Sequence, residues 1–278
     1  MKSNRIGAVS AGLLCLVAAY PGSSWSQELS AGNDPSAGKL ETAVEWVSVG
    51  GGEFTMGTND GADLFKWSKP IHEDTIKNFE MSKTLVTVEQ YAECVIKGPC
   101  TEPDPGSWGK YCNWGVAGRQ HHPINCVDWT QANQFAKFKG ARLPSESEYE
   151  YAAKSGGKNQ KYPWGNEDAT SDKAVMSGDS TQPVCSKDSK WNAKVSGGDL
   201  CDVVGNVFEW TADAWHDSYL GAPTDGSAWD GPSGSYRVLR GGYFDCLDAG
   251  GLRADYRVIA DPGDRDGHVG FRLARSSR

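Results

Sequence analysis

Seven cysteines lie between residues 94 and 246, behind an N-terminal segment built like an export signal, and that combination constrains the chain more than any other feature. Lys2 and Arg5 form a short basic start, Ile6 to Tyr20 carries no charge, and Ser24 and Ser26 offer the small side chains that precede a cut. The apolar run is too short to span a bilayer comfortably. Residues 1–26 are therefore expected to be a signal peptide cleaved near Ser26, leaving a secreted or periplasmic protein. Residues 27–43, polar and rich in Gly, Ser and Ala, read as a flexible leader. Residues 44–278 read as one folded domain, and no second stretch is long and apolar enough to span a membrane.

In an oxidising compartment the cysteines are expected to pair. Spacing alone does not fix connectivity. The local set is Cys94–Cys100, Cys112–Cys126 and Cys185–Cys201, which leaves Cys246 odd. Each bridge would close a loop of about 6–17 residues and contribute about 2–3 kcal/mol by chain entropy. The spacings lack the close C-x-x-C pairs of zinc modules.

Lys plus Arg number 28 against 36 for Asp plus Glu, and removing Lys2 and Arg5 leaves 26 against 36, a balance of −10. With no long basic run, nucleic acid is a poor partner. Glycine (34), proline (13) and tryptophan (11) are abundant, so regular elements should be short and loops long. Three helices are legible from capping boxes: Thr87 with Gln90, Asp128 with Gln131, and Ser145 with Glu148. Gly98, Gly140 and Gly156 end them. Strands are expected at Val44–Val49, Phe54–Met56, Thr75–Met81, Val238–Leu239 and Gly270–Leu273. No GxSxG elbow, P-loop or dinucleotide fingerprint occurs, nor any H-x-x-x-H phrase.

Eight phrases fall in a fixed order: GGEFTMGT from Gly51, KPIHEDTIKNFEMSKTLVTVEQYAE from Lys69, HPINCVDWTQANQFAKFKGARLPSESEYEYAA from His122, YPWGNE from Tyr162, CDVVGNVFEWTAD from Cys201, YRVLRGGYFDC from Tyr236, LRADYR from Leu252 and HVGFRLA from His268. Together they resemble the sulfatase-modifying-factor (formylglycine-generating enzyme) family from about Val44 to the end. The resemblance implies an α+β fold: a single compact domain with little regular secondary structure, formylglycine-generating-enzyme-like and related to C-type-lectin-like folds. It also implies an oxidoreductase activity, in which a cysteine of an exported sulfatase becomes formylglycine. Molecular oxygen and a copper ion held by two cysteine thiolates carry that reaction, and calcium braces the loops.

Carried over position by position, the resemblance places a calcium loop at Asp202, the carbonyls of Gly205 and Val207, and Glu209. Oxygen donors of that kind suit a hard cation. It places the first copper thiolate, and the candidate catalytic and cofactor-binding residue, at Cys246. The second thiolate position, five residues on, is Gly251, which has no side chain. Copper(I) prefers soft thiolates, so this departure bears directly on copper. Tyr243 stands where the family has serine, Phe208 where it has tryptophan, and His268 where a polar residue, often asparagine, precedes the LGFR-like phrase. Cys246, Tyr243, Phe208 and His268 are expected to line one concave patch, with Tyr243 and His268 as further catalytic candidates. Arg240 or Arg253 would supply the electropositive setting that a reactive thiol needs.

Two functions follow. One is oxidative maturation, of the formylglycine type or a related one, acting on an exported protein or peptide. The alternative is a non-catalytic, calcium-braced, lectin-like binding module that uses exposed aromatics such as Trp108, Trp114, Trp164, Trp191 and Trp229.

Overall fold

All three helices start at their expected caps. In the computed structural model, which describes residues 42–104 and 106–277, α1 is Val88–Lys97, α2 is Trp129–Phe138 and α3 is Glu146–Ala153. The expected signal peptide and most of the leader lie outside the described residues. Each cap is reciprocal: Thr87 Oγ1 accepts from Gln90 N at 3.3 Å, and Gln90 Oε1 accepts from Thr87 N at 3.1 Å. Asp128/Gln131 and Ser145/Glu148 repeat the pattern. Such caps satisfy backbone donors that the helix itself leaves unpaired. Gly98 ends α1 in the left-handed region at φ 94°, which costs little only without a Cβ. The last described leader residues are tied down: Gln90 Nε2 donates to Ala43 O and Lys139 Nζ to Thr42 O, both at 3.0 Å.

Strands are short. β1 (Trp46–Val49), β4 (Phe79–Ser82) and β11 (Ala274–Ser276) form one antiparallel sheet with β4 central. β2 (Gly52–Met56) pairs with β3 (His72–Ile76), and β5 (Ala193–Val195) with β6 (Gly198–Leu200). The largest sheet has the order β10 (Val269–Gly270), β7 (Phe208–Ala214), β8 (Arg237–Arg240), β9 (Arg257–Ala260), and β10 runs parallel to β7. The single strand expected over Thr75–Met81 is two strands in different sheets. The chain turns at Lys77–Asn78, where Gly51 passes so close that a Cβ there would sit 2.0 Å from Ile76 O.

α1 and α2 bury Tyr91, Phe135 and Ala136 against Trp210, Leu239 and Phe271. Around α3, Tyr149, Ala152 and Ala153 pack with Val47, Phe79 and Met81. α3 is buried all round, acidic residues included. Glu146 receives two bonds from Arg257, at 2.7 and 2.8 Å, and one from Tyr219 at 3.0 Å. Glu150 is bonded by Arg240, by Lys154 and by Gly57 N. A buried carboxylate persists only with such partners, so these ion pairs register α3 against β8 and β9.

All three local disulfides form, with Cα separations of 5.3 Å for Cys94–Cys100, 5.8 Å for Cys112–Cys126 and 5.1 Å for Cys185–Cys201. Cys246 is the free cysteine among the described residues. No described helix is long and apolar enough to cross a membrane.

Candidate functional site

The turn after β8 carries the site. Gly241 (φ 101°) and Gly242 (φ 72°) reverse the chain, and a Cβ on Gly242 would lie 2.7 Å from Gly251 O. Backbone bonds fix the turn on two sides: Phe244 N donates to Asn206 O at 3.0 Å, and Ser177 N to Cys246 O at 3.1 Å. β10 meets β7 here, because Phe208 N donates to His268 O at 2.7 Å.

Three of the four expected residues touch. The Phe208 and Tyr243 rings are 5.0 Å apart, and the Tyr243 and His268 rings 4.8 Å apart. His268 also stacks on Phe244 at 5.0 Å and lies 5.3 Å from Tyr111. Cys246 belongs to the same turn, its N–H donating to Tyr243 O at 3.1 Å. Its thiol sits beside Gly251 and Tyr256, and Tyr256 in turn approaches Phe208 at 6.5 Å.

The electrostatics differ from those expected of a reactive thiol. Burial pushes the Cys246 thiol pKa up, and the Asp248 and Asp245 carboxylates push it further. Its Sγ donates to Asp248 O at 3.2 Å. Neither arginine considered as its electropositive neighbour is free to serve: Arg240 is sequestered with Glu150, and Arg253 is held by Asp255 and Asp60. A thiol among carboxylates keeps its proton.

His268 behaves oppositely. Burial alone would lower its pKa, but Asp266 Oδ1 at 2.7 Å from Nδ1 and Asp245 Oδ2 at 3.4 Å from Nε2 raise it overall. Sequence reasoning missed Asp245, Asp266 and Tyr256. Looking for acids after a histidine overlooks Asp266, which precedes His268 by two residues.

At the calcium loop, Asp202 (φ 48°) and Asn206 (φ 66°) curl the chain. Arg272 donates to Glu209 Oε2 at 2.6 Å and to the carbonyls of Cys201 and Asp202 at 2.9 Å each. Asp202 Oδ2 accepts from Cys185 N at 2.7 Å, and Gly205 O accepts from Val207 N at 2.9 Å. Glu209 Oε1 is buried and has no hydrogen-bond partner among the described residues. Burial, with the nearby Asp202 charge adding to it against the pull of Arg272, pushes the Glu209 carboxyl up to about 7. Arg272 balances one of the two carboxylate charges, so the orphaned Glu209 Oε1 is the observation here that suits a hard cation. Among the described residues no three His, Cys, Asp or Glu side chains form a metal cluster, so such a loop would depend on its carbonyls.

Copper does not fit. Six of the seven cysteines from Cys94 onward are in disulfides, and the position facing Cys246 is glycine. The expected surface tryptophans do not form one cleft: Trp114 packs on Tyr91 in the core, Trp229 stacks on His216 at 3.7 Å, and Trp164 approaches Trp191 at 6.1 Å. The Trp108 side chain lies outside the described residues.

The chain matches the sulfatase-modifying factor enzyme 1-like domain over residues 32–277. It is 34% identical over 294 residues to the formylglycine-generating enzyme of Thermomonospora curvata, covering 86% of this chain and 96% of that one. It is also 34% identical over 248 residues to the serine/threonine-protein kinase Pkn1 of Chlamydia trachomatis. That match takes in 84% of this chain but spans only 38% of the relative's length. Among solved structures, PvdO from Pseudomonas aeruginosa superposes with a TM-score of 0.68 at 29% identity, over 85% of this chain and 96% of that one.

Proposed function

The chain belongs to the sulfatase-modifying-factor family, and we propose that it is an exported, calcium-braced member that engages an exported protein or peptide at the Gly241–Cys246 turn without a two-thiolate copper centre. The observation that carries this reading is the pairing of Cys246 with Gly251: a Cβ on Gly251 would lie 2.8 Å from Cys246 Sγ. The position that could present a second thiolate to Cys246 therefore has no side chain. A lone thiol that keeps its proton is a poor copper(I) ligand. What the turn does offer is the partly exposed Tyr243 ring, backed by the buried Phe208 of β7, beside a histidine held between two carboxylates. Those groups can bind a side chain and exchange a proton.

Calcium, where bound, would be held by Asp202, Glu209 and the carbonyls of Gly205 and Val207. It would supply positive charge to the buried Glu209 and the partly buried Asp202 and brace the start of β7, hence Phe208. Oxidative maturation of the bound partner is the second reading. The retained thiol at Cys246 and the 34% identity to a formylglycine-generating enzyme favour it.

The test is to incubate the protein with copper, oxygen and a cysteine-containing sulfatase-type peptide and to look for formylglycine by mass spectrometry. Peptide that remains a cysteine is the expected outcome. Efficient turnover that disappears in Cys246→Ala would replace this reading with the second.

A further inference from the structure

A cavity of about 440 Å³ opens where Lys77–Phe79, the start of α3, residues 225–228 and the end of β11 come together, and none of Tyr243, Cys246 or His268 lines it. Its described lining contains four charged side chains, and they cancel in pairs. Arg142 bonds both oxygens of Glu148 at 2.6 Å, and Lys77 Nζ is 4.0 Å from Asp225 Oδ2. Ser145 N also donates to Glu148 Oε2 at 2.9 Å, so the Arg142–Glu148 fork is fixed before any ligand arrives. A small anion entering here meets Glu148 and Asp225; a small cation meets Arg142 and Lys77.

Of the neutral polar side chains, Ser145 donates to Gly226 O at 2.8 Å and Ser227 to Asp225 Oδ1 at 2.5 Å, while three others are not fully used. Asn78 spends its carbonyl oxygen on Gly51 N at 2.8 Å, and its amide N–H groups have no partner among the described residues. The Ser276 and Ser277 hydroxyls line the cavity and likewise make no hydrogen bond there. Between them lies apolar surface that includes Ala212, Ala228 and Phe79. The volume falls in the range of small-molecule sites, but those are mostly apolar. Here unused neutral donors and acceptors alternate with apolar surface of similar extent. The matching ligand has hydroxyls that donate and accept on successive carbons, C–H faces between them, and no charge. We propose that this cavity binds an uncharged saccharide, at a site separate from the Gly241–Cys246 turn.

Saturation-transfer NMR on the full chain with maltose, lactose and N-acetylchitobiose tests this. At least one should give a signal, with affinity in about the millimolar range and unchanged between low and high salt, because an uncharged ligand is not screened. Ala228→Trp and, independently, Ser276→Trp should fill the cavity and weaken that binding at least tenfold, with the melting temperature of each variant as the control for folding. Two different variants keep the test valid if one fails to fold. The proposal is overturned if none of the three sugars binds, if binding survives in the folded blocked variants, or if inorganic sulfate displaces the sugar.

Discussion

A Cβ placed on Gly251 would stand 2.8 Å from Cys246 Sγ, closer than real Cβ atoms come, with Tyr256 Cε1 next at 4.0 Å. The two positions face each other. Gly251→Cys should therefore bring two thiols into bonding range after a small rotation of Cys246. Oxidised, the variant should lose the reactivity of Cys246 toward thiol reagents. Reduced, it should bind copper(I) at least about tenfold more tightly than the unmodified protein, or about 1.4 kcal/mol. Unchanged reactivity together with unchanged copper affinity would show that the two positions do not cooperate.

His268 should titrate above the usual histidine value of about 6.5, because Asp266 and Asp245 outweigh its burial. The sign follows from linkage. With the folded pKa raised, the ion pairs contribute stability that is fully present below about pH 6.5 and is lost as pH rises through the folded pKa. The side chain is only partly buried, so the contribution should be about 0.5–1 kcal/mol after solvent screening. NMR titration of the imidazole checks the shift, and Asp266→Asn should pull it down. A His268 pKa at or below the ordinary value would remove the charged pair from the account.

Chelation should lower the melting temperature of protein that metal analysis shows to contain calcium, because an ion bound only to the native state stabilises it by mass action. For calcium at about a hundred times its Kd the loss is about 2.7 kcal/mol, which for a domain of this size is roughly 5–10 °C. Glu209→Gln should reduce the chelator's effect. An unchanged melt after demonstrated removal of the metal would rule out the loop as a stabilising site.

Much of the fold was legible because its signals are local. The capping boxes at Thr87, Asp128 and Ser145 each lie within four residues, and the three disulfides close short loops. β7 was not legible: nearly every residue from Phe208 to Ala214 is buried, so the alternation that marks a half-exposed strand is absent. Its charged members, Glu209 and Asp213, find partners only in the folded chain, from Arg272 and from the backbone N–H groups of Glu146 and Trp229. α3 hid its full burial for the same reason, since Arg240 and Arg257 arrive from strands about a hundred residues away. At the site, Cys246, Tyr243, Phe208 and His268 could be found through the family resemblance. Asp245 and Tyr256 could not, because only the folded turn brings them beside His268 and Cys246.

The central claim, that Cys246 has no resident thiolate partner, is tested most directly by titrating the purified, disulfide-intact protein with copper(I) against a chelating indicator. The account predicts no tight stoichiometric site and no difference between the unmodified protein and Cys246→Ala. One tightly bound equivalent of copper(I), lost in Cys246→Ala, would contradict it.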